Sequence, residues 1–294
     1  NALINADSLT NVLYLNFTGR GYATHAEKAT VEVRVNGQLS ESLRPLPPQA
    51  EGDMQCRFHI SSKFTPGDVV RIDALTDDGQ YHAWAEVTVP QRPHEIADID
   101  TVTIPMTKYY YTQNFLRYKI NIKDRSNEDN YYRLIMDKQM TVKDYNEETG
   151  EFVSRTIHRY HFISREDIVL TDGQPTNSDD EDNGMFDTVK NIYGVFDDSR
   201  FKNTSYTMTV YNQTNVEGLS KYGTNVKMDI IVRLLSITET EYYYLKALNL
   251  ADSDAYDETI NEPIKYPGNV HGGVGIVGIS TETSKIIHIE KPWI

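Results

Sequence analysis

The sequence predicts an all-β protein in two parts. Residues 1–92 read as an immunoglobulin-like β-sandwich. Residues 93–294 read as a larger antiparallel β-sandwich or barrel-like domain with one short capped helix near 239–249. Three observations lead there. Many short segments alternate apolar and polar residues with a period of two, the pattern of a half-buried strand. Turn signals such as Asn36-Gly37 and Pro66-Gly67-Asp68 separate those segments. A clear helix-start signal stands out in one place, Thr238-Glu239-Thr240-Glu241.

In chain order, Val31-Glu32-Val33-Arg34-Val35 alternates cleanly, and Asn36-Gly37 then supplies the positive φ angles of a tight hairpin turn into Gln38-Leu39. A second hairpin runs from Val69–Ile72 through Asp77-Asp78-Gly79 into Tyr81–Val89, where Tyr81, Ala83, Ala85, Val87 and Val89 share a face. Pro90-Gln91-Arg92-Pro93 ends this pattern and is the expected linker. Beyond it, Leu116, Tyr118, Ile120 and Ile122 alternate with Arg117, Lys119, Asn121 and Lys123, and Phe152–Phe162, Tyr206–Tyr211 and Val226–Leu235 behave similarly. Thr171–Gly184 is polar and acidic and reads as a long loop. In the capping box, Thr238 accepts from the Glu241 amide, with Ile237 and Tyr242 at the staple positions. Tyr242, Leu245 and Leu248 then fall on one side of a short helix.

Composition excludes some function classes. At 294 residues, with 39% hydrophobic residues, the chain is long enough for about two cored domains. The formal net charge of −14 argues against nucleic acid or an anionic membrane face as partner, because both are bound by clustered cations. The one cysteine, Cys56, alternates with Met54, Phe58 and Ile60 and reads as a buried structural thiol. No apolar run reaches the roughly 18 residues that span a bilayer. The chain begins Asn1-Ala2-Leu3 without an initiator Met, which fits a trimmed mature segment.

Gly273-Val274-Gly275-Ile276-Val277-Gly278 spells G-x-G-x-x-G, the fingerprint of a dinucleotide-binding turn. That motif works at the start of a helix whose N-terminus holds the pyrophosphate. Here a Ser/Thr-rich stretch and a β-branched run follow it, Ile279 to Ile289, so the segment reads as strand and the glycines as turn and close-packing positions.

Several segments in order carry a resemblance: Asn130-Tyr131-Tyr132-Arg133-Leu134, Phe196-Asp197-Asp198-Ser199-Arg200-Phe201, Val232–Ile237, the helix containing Tyr242 and Tyr243, Glu262-Pro263, and Asn269–Gly278 with Gly272, Gly273, Gly275 and Gly278. The Val33–Gly37 hairpin and the Thr65-Pro66-Gly67 turn fit as well. Together they resemble a Bacteroidetes family of outer-membrane lipoproteins of unknown function, domain-of-unknown-function family 4249. The resemblance implies a lipid-anchored protein of the outer membrane and cell envelope, often encoded near TonB-dependent receptors, with no established catalytic residues to carry over. The anchor would lie outside the given residues, since Cys56 sits mid-strand.

Other candidate chemistry reads as structural. Asp179-Asp180-Glu181-Asp182-Asn183-Gly184 approximates the start of a calcium loop, but its twelfth position is Lys190 rather than Glu, so a solvated acidic loop is favoured. Asp252–Glu258 reads the same way. His158 and His161, three apart on a strand, face opposite sides, so no metal site is expected. No catalytic residue and no cofactor is assigned. Tyr109-Tyr110-Tyr111 cannot all face one core, which makes them the expected surface for a glycan, peptide or protein ligand. The leading expectation is a non-catalytic envelope lipoprotein that partners a TonB-dependent uptake receptor. The second is an adhesion or binding module independent of a transporter, and the third a hydrolase built on paired carboxylates.

Overall fold

The computed structural model describes residues 1–18, 24–26, 28–50, 52–53, 55–108, 111–160, 167–173, 190–213, 227–253, 256 and 262–289. The protein is all-β, with curled sheets and, among the described residues, one helix. It divides into two compact units. The first comprises Asn1–Arg92, Leu235–Ala251 and Glu258–Glu282, and the second Pro93–Leu234, Asp252–Asp257 and Thr283–Ile294.

The first unit contains β1 (Ala2–Asn5), β2 (Asn11–Tyr14), β3 (Asn16–Phe17), β4 (Thr24–His25), β5 (Ala29–Val35), β6 (Gln38–Leu43), β7 (Arg57–Ile60), β8 (Val69–Thr76) and β9 (His82–Thr88). Four of these make an antiparallel sheet in the order β6-β5-β8-β9. Asn36 and Gly37 turn β5 into β6 at φ 51° and 81°, the left-handed pair that a two-residue hairpin of matching twist requires. β2 pairs β7, and β3 pairs β4. Alternation sends Val31, Val33, Val70, Ile72, Ala85 and Val87 inward onto Phe58, Ile60, Ile4 and Ile279. Each of the Val, Ile and Phe side chains, fully buried, contributes about 1.5–3 kcal/mol of transfer free energy. Cys56 belongs to this core, 3% exposed.

The second unit contains β10 (Asp98–Lys108), β11 (Tyr111–Lys123), β12 (Tyr131–Asn146), β13 (Glu151–Tyr160), β14 (Val195–Asp197), β15 (Ser205–Gln213) and the first part of β16 (Lys227–Ile237). One antiparallel sheet runs β10-β11-β15. In the other, β12 pairs β13, β14 and β16. Leu116, Tyr118, Ile120 and Ile122 point inward with Tyr132, Leu134, Met136, Val210, Ile230 and Val232, a core built from the alternating positions.

The helix α1 (Glu239–Ala251) starts where the capping box places it, with the Glu241 amide donating to Thr238 Oγ1 at 3.3 Å. It continues to Ala251, past the expected end near Asn249. The sequence assigned this helix and the glycine segment to the larger domain, whereas both lie in the first unit. The reason is packing. The last strand, β17 (Val277–Ile289), pairs β1 in parallel from Ala2↔Val277 to Asn5↔Ser280, and α1 lays the buried Glu241 carboxylate against Gly278 of that strand.

Candidate functional site

On the outward face of the β6-β5-β8-β9 sheet, alternation places Thr30, Glu32 and Arg34 of β5, Arg71, Asp73 and Leu75 of β8, and His82, Trp84 and Glu86 of β9. Strand register orders them in three rows: Thr30, Leu75 and His82; Glu32, Asp73 and Trp84; Arg34, Arg71 and Glu86. The first seven residues named, from Thr30 through His82 of this face but without Trp84 and Glu86, line a shallow open depression of about 500 Å³.

The charges in it are fixed in place. Arg71 donates Nε to Asp73 Oδ2 at 2.8 Å and Nη2 to Asp73 Oδ1 at 2.9 Å, a two-point fork. His82 Nε2 lies 2.9 Å from the same Oδ1. The Arg71 bonds, joined by the His82 contact, hold the Asp73 carboxyl below the usual carboxylate range despite its partial burial, and Asp73 in turn raises Arg71. Arg34 forms the matching bond to Glu32. The Arg71 guanidinium sits 4.1 Å from the centre of the Trp84 ring, and His271 stacks on that indole at 4.1 Å and 19°. His271 and Trp84 also exchange backbone hydrogen bonds of 2.8 and 2.9 Å.

Register sets like against like. Arg34 faces Arg71, and Glu32 faces Asp73. Directly opposed like charges on neighbouring strands destabilise a sheet, and half-exposed ion pairs along a strand return only about 0–1 kcal/mol. Stability therefore does not account for this arrangement. Asp73, kept ionised, is a hydrogen-bond acceptor.

Of the residues expected from the sequence, those that the structure describes lie elsewhere. Tyr109 and Tyr110 fall outside the described residues, and Tyr111 opens β11 opposite Lys108. Residues 179–184 and His161 fall outside them too, while His158 is exposed on β13. Asp252 accepts from the Tyr193 hydroxyl at 2.8 Å. Among the described residues, no group of three His, Cys, Asp or Glu is placed to hold a metal ion.

The signature tyrosines and glycines are structural in their placement. Tyr131 is half-buried opposite Asp197, and Tyr132 lies buried opposite Phe196. The Tyr132 hydroxyl donates to Asp124 Oδ1 at 2.9 Å. Asn130 Nδ2 donates to the same oxygen at 3.1 Å and to Asp198 Oδ2 at 3.2 Å, and the Asn203 amide donates to Asp124 Oδ2 at 2.7 Å. Burial pushes Asp198 up and, together with Asp124, pushes the Tyr132 phenol up. Two of the sequence segments that carry the resemblance, 130–134 and 196–201, thus meet in one buried polar knot. Tyr242 is buried on α1, and Tyr243 is exposed, edge-on to it at 5.1 Å.

Asn269 clamps Val277, donating to its carbonyl at 2.8 Å and accepting from its amide at 2.9 Å. Gly275 sits against the Asn1 side chain. Gly273 has ordinary room, with Ala83 Cβ and Val270 Cγ1 each 3.5 Å from where a Cβ would stand. Gly272, at φ +73°, leaves no room at all, because a Cβ there would run into the His82 carbonyl oxygen. The glycine segment therefore buttresses β9 beside the depression and holds His271 on Trp84.

Sequence reasoning missed the depression. The alternating charges of Thr30–Arg34 and Arg71–Leu75 were visible, but their cross-strand partners were not.

Against known proteins, a family model described as a domain of unknown function, DUF4249, matches residues 1–286. No curated protein is similar enough to be matched.

Proposed function

The chain belongs to the DUF4249 family, and on that premise we propose that it is a non-catalytic, lipid-anchored lipoprotein of the outer membrane that binds ligand as the partner of a TonB-dependent receptor. Supporting the binding role is one observation above all, the Arg34/Arg71 and Glu32/Asp73 rows on an open sheet face, held by their own hydrogen bonds in an arrangement that adds little to stability. Supporting the envelope role are the ordered segments that carry the family resemblance. An acidic chain with net charge −14 also suits an extracytoplasmic binding protein better than a nucleic-acid or anionic-lipid binder.

Affinity purification of the native lipoprotein from detergent-solubilised envelopes tests the partnership. A receptor barrel should co-purify in stoichiometric amount; recovery of the protein alone in repeated preparations rejects it. Ligand capture without a receptor would instead favour an independent binding or adhesion module.

A further inference from the structure

The depression is a groove over the two central strands, and its position limits what it can take. The backbone groups of β5 and β8 there are committed to the ladders with β6, β8 and β9, so an extended peptide could not add itself as a strand. Both faces of the Trp84 indole are occupied, by Arg71 and by His271, so the groove offers no free aromatic platform for stacking a neutral sugar ring. Polar and charged side chains supply the recognition, and they come in two adjacent rows, one of guanidiniums and one of carboxylates.

Arg71 directs two of its five N–H groups at Asp73, and Arg34 bonds Glu32 through one nitrogen, so each guanidinium keeps further donors for an incoming acceptor. Two forks side by side suit a carboxylate, which they bind in a bidentate manner. The next row is about 7 Å along the strands, two residues away. There Glu32 and Asp73 present carboxylate oxygens that accept from hydroxyls, flanked by the Thr30 hydroxyl. Leu75, 47% exposed, offers an apolar surface to C–H groups. A nucleic acid offers phosphates but few hydroxyl donors, so it would meet Glu32 and Asp73 without the hydrogen bonds that a sugar supplies. One carboxylate among many hydroxyls meets each row with its complement.

We propose that this groove binds an acidic oligosaccharide, a uronic-acid chain whose carboxylate sits on Arg34 and Arg71 while its hydroxyls donate to Glu32 and Asp73. The inference rests on the binding role proposed above and gives that role a ligand class.

Calorimetry on the full chain tests it, with tetragalacturonate, tetramannuronate and a hyaluronan tetrasaccharide as probes, each beside its methyl ester. At least one acid should bind at least about tenfold more tightly than its ester, the equivalent of one good charged contact. Arg34→Gln and Arg71→Gln should each lose about that factor, and Arg34→Lys, which keeps the charge without the fork, should fall between. A thermal melt of each variant checks folding, and Arg34→Gln alone suffices should Arg71→Gln unfold. The proposal is overturned if no acid binds better than its ester, or if a folded Arg34→Gln protein binds like the parent. Receptor capture is measured on the parent protein as well: receptor capture by a parent that binds none of the acids better than its ester removes the ligand class only, and sugar binding by a parent that captures no receptor removes the partnership only.

Discussion

Gly272→Ala, compared with Gly273→Ala, tests the structural reading of the glycine segment. The two positions are neighbours, share solvent, and receive the same methyl group. At Gly272 the backbone is left-handed at φ +73°, a region that costs an L-residue about 1–2 kcal/mol. The new Cβ would also overlap the His82 carbonyl oxygen and press on the His82 carbonyl carbon at 3.3 Å and the Ala83 Cα at 3.4 Å. Those are backbone atoms of β9 that no rotamer change can move, so relief requires a shift of the loop or strand, with an overpacking cost of about 1–3 kcal/mol. The sum is about 2–5 kcal/mol, and the loop shift also strains the paired backbone hydrogen bonds between His271 and Trp84. At Gly273 the nearest atoms stand 3.5 Å away, ordinary contact, so Gly273→Ala should lie within about 1 kcal/mol of the parent. Equilibrium urea unfolding followed by tryptophan fluorescence reads both, because Trp84 stacks on His271 only while this loop is docked. With a slope of roughly 2 kcal/mol per molar urea, Gly272→Ala should move the midpoint down by about 1–2.5 M. Equal midpoints for the two variants, or a Gly272→Ala midpoint within about 0.3 M of the parent, would refute the reasoning.

Three further outcomes follow from the geometry. Asp124→Asn replaces a carboxyl that accepts three hydrogen bonds with an amide whose NH₂ must face a donor, and should cost the second unit about 2–4 kcal/mol, whereas Tyr132→Phe removes one of those bonds and should cost about 1–2 kcal/mol. Chemical denaturation followed by circular dichroism gives the order, and a Tyr132→Phe cost equal to or above that of Asp124→Asn contradicts it. The Asp73 carboxyl is depressed in the folded protein, so its stabilisation is complete above the unfolded value of roughly 3.9 and is lost as pH falls through the lower folded value. The stability gap between the parent and Asp73→Asn should accordingly be level near pH 5 and shrink towards pH 2, and a gap that widens on acidification reverses the assignment. Finally, the Cys56 thiol is buried in the first core and should ignore a thiol reagent until urea unfolds that unit. Labelling of the native protein at the rate of a free thiol would place Cys56 at the surface instead.

What the sequence by itself determined is what local chemistry encodes. Period-two alternation gave Val31, Val33, Leu116, Tyr118 and Ile120 their inward side before any partner strand was known, because successive side chains of a strand must point to opposite faces. Asn36-Gly37 and Thr238–Glu241 placed a turn and a helix start through backbone angles and capping groups that lie within a few residues. The motif Gly273–Gly278 could be rejected as a cofactor turn because its local context is strand. Tertiary structure decided everything that depends on distant residues coming to one place. Register across β5 and β8 set Arg34 against Arg71 and Glu32 against Asp73, 37 and 41 positions apart in the chain by their numbers, and so made the groove. Pairing of β1 with β17 and the seat of Glu241 on Gly278 drew α1 into the first unit. Asn130, Asp124 and Asp198 became a single buried network in the same way. The physical reason is one of range: side-chain direction and turn angle are properties of a short segment, whereas register and burial of polar groups are settled by the packing of whole sheets.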